Sequence, residues 1–248
     1  MKVWVCTCFD TSFDFCEQKY NVRYDSFDIE IIRGSSEEGH NLFIETTKEN
    51  AKLANEAARR FLSEICWLYQ SRVEIIAGGG WASHKTPTNV AFRKFARIGG
   101  GIDLTSYRQI ASTHEQKIAL GIYREAFSSN SIFYKFLSCF KIINMTYKTG
   151  KEQKDWINNN IEKLIKSKSK IEQLKQEGIT NLGEHFYHSG RCAIAHSNII
   201  SGEPIADADN HEDNFRIGRE IEVIKELAEI IMSDELMIPT RGQLIKYY

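Results

Sequence analysis

The hydrophobic period changes along this chain, and that change limits the available folds more than any single residue does. Up to Thr47 the apolar side chains largely alternate with polar ones: Lys2-Val3-Trp4-Val5-Cys6, then Ser26-Phe27-Asp28-Ile29-Glu30-Ile31-Ile32-Arg33, then Asn41-Leu42-Phe43-Ile44-Glu45. In the middle run Phe27, Ile29 and Ile31 fall on one face and Asp28 and Glu30 on the other, as a half-buried strand requires. Gly34-Ser35-Ser36-Glu37-Glu38-Gly39 reads as a hairpin connection between the second and third runs, so antiparallel pairing is expected. Beyond Asp103 the apolar residues recur at helical spacing instead. A segment of one period cannot bury its apolar face in the other conformation. The expected fold is therefore α+β: an N-terminal mixed α/β domain with antiparallel strands over 1–104, then an all-α helical bundle over 105–248.

Helix signals refine this outline. Thr46 or Thr47, with Glu49 or Asn50 at capping distance, predicts a helix starting at Thr47 whose Leu53, Ala57, Phe61, Ile65 and Leu68 cover the sheet. Val73-Glu74-Ile75-Ile76 reads as a further strand. The triplets Gly78-Gly79-Gly80 and Gly99-Gly100-Gly101 lack both the GxxxxGK[ST] and the GxGxxG arrangement, and so read as flexible connections rather than phosphate loops. Trp81, His84 and Lys85 between them either line a cleft or pack on the surface. Besides a helix that carries the 185–197 stretch, four helices are expected in the second half. They run from about Ser112 to Ser128, from about Ser131 with the stripe Phe133, Phe136, Leu137, Phe140 and Ile143, from about Lys151 to Glu177, and from about Glu212 with Ile217, Ile221, Ile224, Leu227, Ala228 and Ile231 inward.

The formal net charge of −1 excludes a broadly basic surface, so contact with a polyanion needs a local patch. The densest basic run is Lys148, Lys151, Lys154, Lys163, Lys166, Lys168 and Lys170. It is either a solvated helix face or a phosphate-backbone track, in which Lys163 and Lys166 are the candidate substrate contacts. Cys6, Cys8, Cys16, Cys66, Cys139 and Cys192 form no CxxC pair and no zinc spacing with histidine, so buried reduced thiols are expected, with no metal and no cofactor. There is no run of about eighteen apolar residues and no apolar leader after Met1, which predicts a cytoplasmic protein without a membrane partner.

The stretch richest in reactive groups is His185-Phe186-Tyr187-His188-Ser189-Gly190-Arg191-Cys192-Ala193-Ile194-Ala195-His196-Ser197. Small apolar residues at 193–195 suit close packing and leave Arg191 and His196 directed elsewhere. Five residues of regular helix turn through about 500°, which places these two side chains about 140° apart. A bend, a helix start or a partner chain is needed to make them converge. Asp207, Asp209 and Asp213 further on lack the glycine and distal glutamate of a calcium loop, and N-capping explains them better.

The Arg-x4-His spacing resembles the HEPN superfamily, and the wording Arg-Cys-Ala-Ile-Ala-His-Ser followed by Asp-x-Asp-Asn is similar to the methylamine utilization protein J group. The resemblance covers roughly residues 105–235. It implies a helical bundle that forms a two-fold homodimer, bringing two motifs into one cleft, and metal-independent cleavage of RNA, with a toxin or antiviral defence context and a protein regulator as associated possibilities. In that chemistry the imidazole of His196 withdraws a proton from a ribose 2′-hydroxyl, and Arg191 stabilises the charge developing on the scissile phosphate. His188 and Ser189 are the further substrate-binding candidates. Many nuclease members carry a polar residue directly after the arginine, where this chain has Cys192. Two other readings stay open: a non-catalytic nucleotide- or RNA-binding module, and an accessory assembly protein. A purely structural role, with Arg191 paired to Asp207 or Asp209, is compatible with the same residues.

Overall fold

A computed structural model describes residues 1–35, 37–87, 95–97, 100–196 and 205–245. These divide into two compact units, Met1–Ser128 with Pro239–Tyr248, and Ser129–Ile238. The division differs from a boundary at 104/105, because the helix at 114–128 packs in the first unit.

The first unit is built on an antiparallel sheet of order β3-β4-β5-β1-β6. Its strands are β1 (Lys2–Thr11), β3 (Lys19–Tyr24), β4 (Phe27–Ile32), β5 (His40–Thr47) and β6 (Val73–Ala82), while β2 (Asp14–Phe15) and β7 (Gly101–Ile102) form a separate parallel pair. Residues paired directly opposite share a face, so Val22, Ile29, Ile44 and Val5 make one row, with Tyr20, Ile31, Leu42 and Thr7 beside it. Helix α1 (Ala51–Tyr69) covers that face with Ala54, Ala58, Phe61, Leu62 and Ile65, all fully buried, and the Phe61 ring meets Tyr24 edge-on. The expected alternation in β4 and the hairpin into β5 are both present.

Three local expectations change. Helix α1 starts at Ala51, after Asn50 rather than at Thr47, and Leu53 is 55% exposed because the packed stripe runs through Ala54 and Ala58 instead. The first glycine triplet is not a connection: it lies inside β6, which pairs with β1 across register shifts. Gly78 has φ +144° there, and a Cβ would sit 3.1 Å from Cys6 O and Thr7 Cα, so only glycine follows this bulged path comfortably. Of the two alternatives for Lys85, packing on the surface is the one the structure takes. Its ammonium lies over the rings of Phe43 (4.9 Å) and Trp4 (5.5 Å) and pairs with Glu30 on the sheet's other face. Gly99 of the second triplet is outside the described residues.

Helix α2 (His114–Ser128) packs on α1 through Trp67 and Tyr123, whose rings meet edge-on at 5.2 Å, and through Arg124 Nε donating to Ser63 Oγ at 3.2 Å. Its role as a cover for α1 explains why it leaves the bundle expected from its periodicity.

The second unit is helical: α3 (Ile132–Thr146), α4 (Gly150–Asn160), α5 (Lys168–Gln176), α6 (Leu182–His185), α7 (Ala193–Ala195) and α8 (His211–Ile230). A π-helix over Phe186–Cys192 joins α6 to α7, and a second over Ile231–Glu235 extends α8. Ile217, Ile221, Ile224, Leu227 and Ala228 of α8 are buried as their spacing predicts, against Phe136, Phe140 and Ile143 of α3 among others. The single helix expected over 151–177 is broken. After a 3-10 turn at Ile161–Lys163, the carboxylate of Glu226 accepts the backbone N–H groups of Ile165 (2.8 Å), Lys166 (2.9 Å) and Ser167 (2.8 Å). Amides directed at a side chain on α8 cannot also continue the α4 ladder.

Candidate functional site

The site is assembled where α6 passes into the π-helix. Asn181 caps α6 by accepting from Glu184 N at 3.0 Å, and the segment is then pressed against two neighbours by glycines. A Cβ on Gly183 would lie 2.2 Å from Lys154 O of α4, and one on Gly190 would lie 2.3 Å from Phe136 Cζ of α3. The wider i→i+5 turn of a π-helix is rare and recurs at functional positions. Its last turn carries Arg191.

Helix α7 then stops. His196 donates its amide to Cys192 O at 3.0 Å but takes φ −114° and ψ 130°, which is extended backbone. This is the bend that regular helical geometry demanded. It brings His196 Nε2 to 3.2 Å from Arg191 Nη1. Since guanidinium is only a donor, a hydrogen bond between the two requires His196 to accept through Nε2, with the ring proton on Nδ1. Arg191 also lies 5.5 Å over the ring of Tyr187 and 3.5 Å from Cys192 Sγ. Lys154 Nζ stands 5.5 Å from the same Tyr187 ring, so two cations flank one phenol.

The flanking histidines have other partners. His188 Nε2 lies 3.1 Å from Glu184 Oε1, whose other oxygen pairs with Lys154 at 2.8 Å; the Lys154 ammonium holds the Glu184 carboxyl below its ordinary range. His185 Nε2 meets Glu220 Oε1 of α8 at 2.8 Å, and the Glu220 side chain is fully buried. Arg216 ties α8 to the π-helix. Its Nη1 donates to the Ser189 carbonyl oxygen at 2.6 Å and lies 3.5 Å from Glu220 Oε2, and its Nη2 donates to Asp213 Oδ1 at 3.0 Å. Burial raises the Asp213 pKa, but the Asp207 amide and Arg216 outweigh it and leave the carboxyl below its usual range.

The aspartates serve the loop and helix start. Asp213 Oδ2 accepts from Asp207 N (2.9 Å), Asp207 Oδ1 accepts from Asp209 N (2.9 Å), and Asn210 caps α8 by accepting from Glu212 N and Asp213 N. Arg191 is therefore engaged with His196 and Tyr187, not with Asp207 or Asp209. Among the described residues no group of three or more His, Cys, Asp or Glu is placed to hold a metal ion. Ser197 and residues 202–204, which also belong to the motif region, lie outside the described residues.

Arg191, His196, His188 and Ser189 thus share one short segment, whereas Lys163 and Lys166 do not join it. Lys166 pairs with Glu229 at 2.9 Å, and its side chain is 70% exposed. Glu229 and the Arg216 that holds Ser189 are thirteen residues apart on α8, about 20 Å at the rise of a regular helix. Lys163 follows α4 beyond Asn158, which bonds Gly183 N at 2.8 Å, and so lies at the opposite end of that helix pair from Arg191. Lys154 is the lysine of the run that reaches the motif. Tyr187, Glu184, Arg216 and Glu220 complete the constellation. Their signal in the sequence is spacing alone: Tyr187 to Arg191 and Arg216 to Glu220 are both i, i+4 pairs.

No curated protein and no solved structure matches the chain. The helical stretch that holds every residue of this constellation does have a counterpart: residues 119–233 match the family model described as Methylamine utilization protein MauJ.

Proposed function

We propose that this protein is a metal-independent endoribonuclease of HEPN type, acting in the cytoplasm as a homodimer formed through the helical unit. The observation that carries the reading is the 3.2 Å approach of Arg191 Nη1 to His196 Nε2 beside Lys154 and Tyr187. An always-charged fork and a neutral imidazole at this separation can address one phosphodiester, the first at its oxygens and the second at the neighbouring 2′-hydroxyl.

Arg191 turns its Nη1 from His196 to a non-bridging phosphate oxygen, which frees the Nε2 lone pair. His196 takes the 2′-hydroxyl proton, the 2′-oxygen attacks phosphorus, and the charge gathering on the phosphate oxygens is held by Arg191 and Lys154. The 5′-oxygen leaves with a proton from an imidazolium, supplied by His188 or by the equivalent histidine of a second copy. The products are a 2′,3′-cyclic phosphate and a 5′-hydroxyl, and DNA is spared. A toxin or defence role under a protein regulator fits such an activity.

The test is incubation of wild type, Arg191→Ala and His196→Ala with total RNA in EDTA, with analysis of the product ends. Cleavage to cyclic-phosphate ends is expected from wild type, with losses of about 10²-fold or more in each variant. Three folded proteins that leave RNA intact would overturn it. The same Arg191 donation, which occupies the lone pair of the base, favours a second reading as a non-catalytic RNA- or nucleotide-binding module. The MauJ match favours an accessory assembly role. An RNA mobility shift without cleavage identifies the former, and copurification with a protein partner identifies the latter.

A further inference from the structure

The first unit contains a cavity of about 270 Å³ lined by Leu68, Tyr69, Asp103, Arg108, Arg241 and Leu244, among others. Three segments form it: the end of α1, the stretch after β7, and the C-terminal helix α9 (Arg241–Ile245). The C-terminal segment is anchored by Trp67 Nε1 donating to Pro239 O at 2.9 Å, and Arg241 lies 4.7 Å over the Tyr69 ring. Tyr69 Oη in turn donates to Asp103 O at 2.9 Å. The walls are therefore tied together by bonds within this unit.

Not every arginine among the described residues has a carboxylate partner. Arg23, Arg33, Arg124, Arg216 and Arg219 each pair with a carboxylate. Arg108 and Arg241 enter no ion pair among the described residues, and Arg108 donates only to the neighbouring Tyr107 carbonyl among the bonds described. Asp103 gives its two oxygens to Thr105 N (2.9 Å) and Thr105 Oγ1 (2.8 Å) rather than to either guanidinium. Two guanidiniums that line one cavity without an ion pair among the described residues offer fork-shaped donors suited to an oxyanion. The rest of the lining is mixed: Leu68 and Leu244, the Tyr69 ring on which the Arg241 guanidinium stacks, and the polar Ser106 and Tyr107. Asp103 retains acceptor capacity for hydroxyl groups.

We propose that this cavity binds a nucleoside monophosphate, with the phosphate between Arg108 and Arg241, the base against Tyr69, Leu68 and Leu244, and the ribose hydroxyls directed at Asp103. The volume of about 270 Å³ lies just below the usual range of ligand pockets, a scale that suits a ligand no larger than a mononucleotide. The site is separate in residues from Arg191 and His196, and binding does not depend on the nuclease reading.

Calorimetric titration of the full chain with AMP, GMP, CMP and UMP tests it, with adenosine and inorganic phosphate as comparators. At least one mononucleotide should bind with Kd below about 1 mM, and its nucleoside and free phosphate at least about tenfold more weakly. Arg108→Ala and Arg241→Ala should each weaken binding by at least about tenfold, and Leu244→Trp, which fills the cavity while leaving both charges, should abolish it. Arg191→Ala should leave binding unchanged. The proposal fails if no mononucleotide binds wild type in that range, if the nucleoside binds as well as the nucleotide, or if Arg191→Ala abolishes binding while the three cavity variants retain it.

Discussion

Glu226 is the residue whose removal most directly tests how the helical unit is held. Its carboxylate accepts three successive backbone amides, from Ile165, Lys166 and Ser167, at 2.8–2.9 Å. A hydrogen bond to a charged group contributes about 1.5–3 kcal/mol. At the low end of that range, with water replacing part of the bond at the exposed Ile165, Glu226→Ala should cost about 3–4 kcal/mol. Glu226→Gln keeps an oxygen for Ile165 and Lys166 but turns an amino group toward Ser167 N, so about 1–2 kcal/mol is expected. Burial raises the Glu226 pKa, but the amides of Lys166 and Ile165 and the Ser167 contacts outweigh it and lower it. A carboxyl with a lowered folded pKa stabilises the fold above its unfolded value, and that stabilisation disappears as pH falls through the folded value. Wild type should therefore lose stability below about pH 4.5, and Glu226→Gln should lose less over the same window. Hydrogen exchange of a peptide covering 161–176 is the local assay, with urea unfolding followed by circular dichroism as the energetic one. Unchanged exchange at 165–167 in Glu226→Ala, or a loss under about 1 kcal/mol, would refute the argument.

Two further outcomes follow from packing and burial. Gly190→Ala places a Cβ 2.3 Å from Phe136 Cζ on a fully buried ring, so a loss of about 1–3 kcal/mol is expected, partly restored by adding Phe136→Leu; chemical denaturation showing no change would contradict the close approach. Burial pushes the Cys139 thiol up to about 12. At pH 8 N-ethylmaleimide should modify the exposed Cys16 and leave Cys139 untouched until urea unfolds the chain, and peptide mass spectrometry showing both labelled at the same rate would overturn it.

Local chemistry made several features readable before any coordinates. The alternation of Ile29 and Ile31 with Asp28 and Glu30 is enough to define one buried face of β4, and the 34–39 stretch marks its hairpin, because both depend only on neighbouring residues. The stripe from Ile217 to Ala228 likewise specifies the inner face of α8. The Arg191/His196 spacing singled out the segment, and the same spacing stated that a regular helix could not bring the pair together.

Tertiary contacts decided the rest. The periodicity over 151–177 is compatible with one long helix, and only the Glu226 carboxylate, distant in sequence, diverts the amides at 165–167 and breaks it. Leu53 has a helical register as good as that of Ala54, and the sheet face chooses between them. Lys154 reaches Tyr187 while Lys163 and Lys166 lie elsewhere, since α4 runs along α6 with only its first turns beside the motif. What the sequence by itself determined was the period of each segment and the identity of its reactive groups, properties of the local chain. What only the tertiary structure decided was which partner each group meets, because a carboxylate, a glycine or an arginine acts through neighbours that the chain brings close only when it folds.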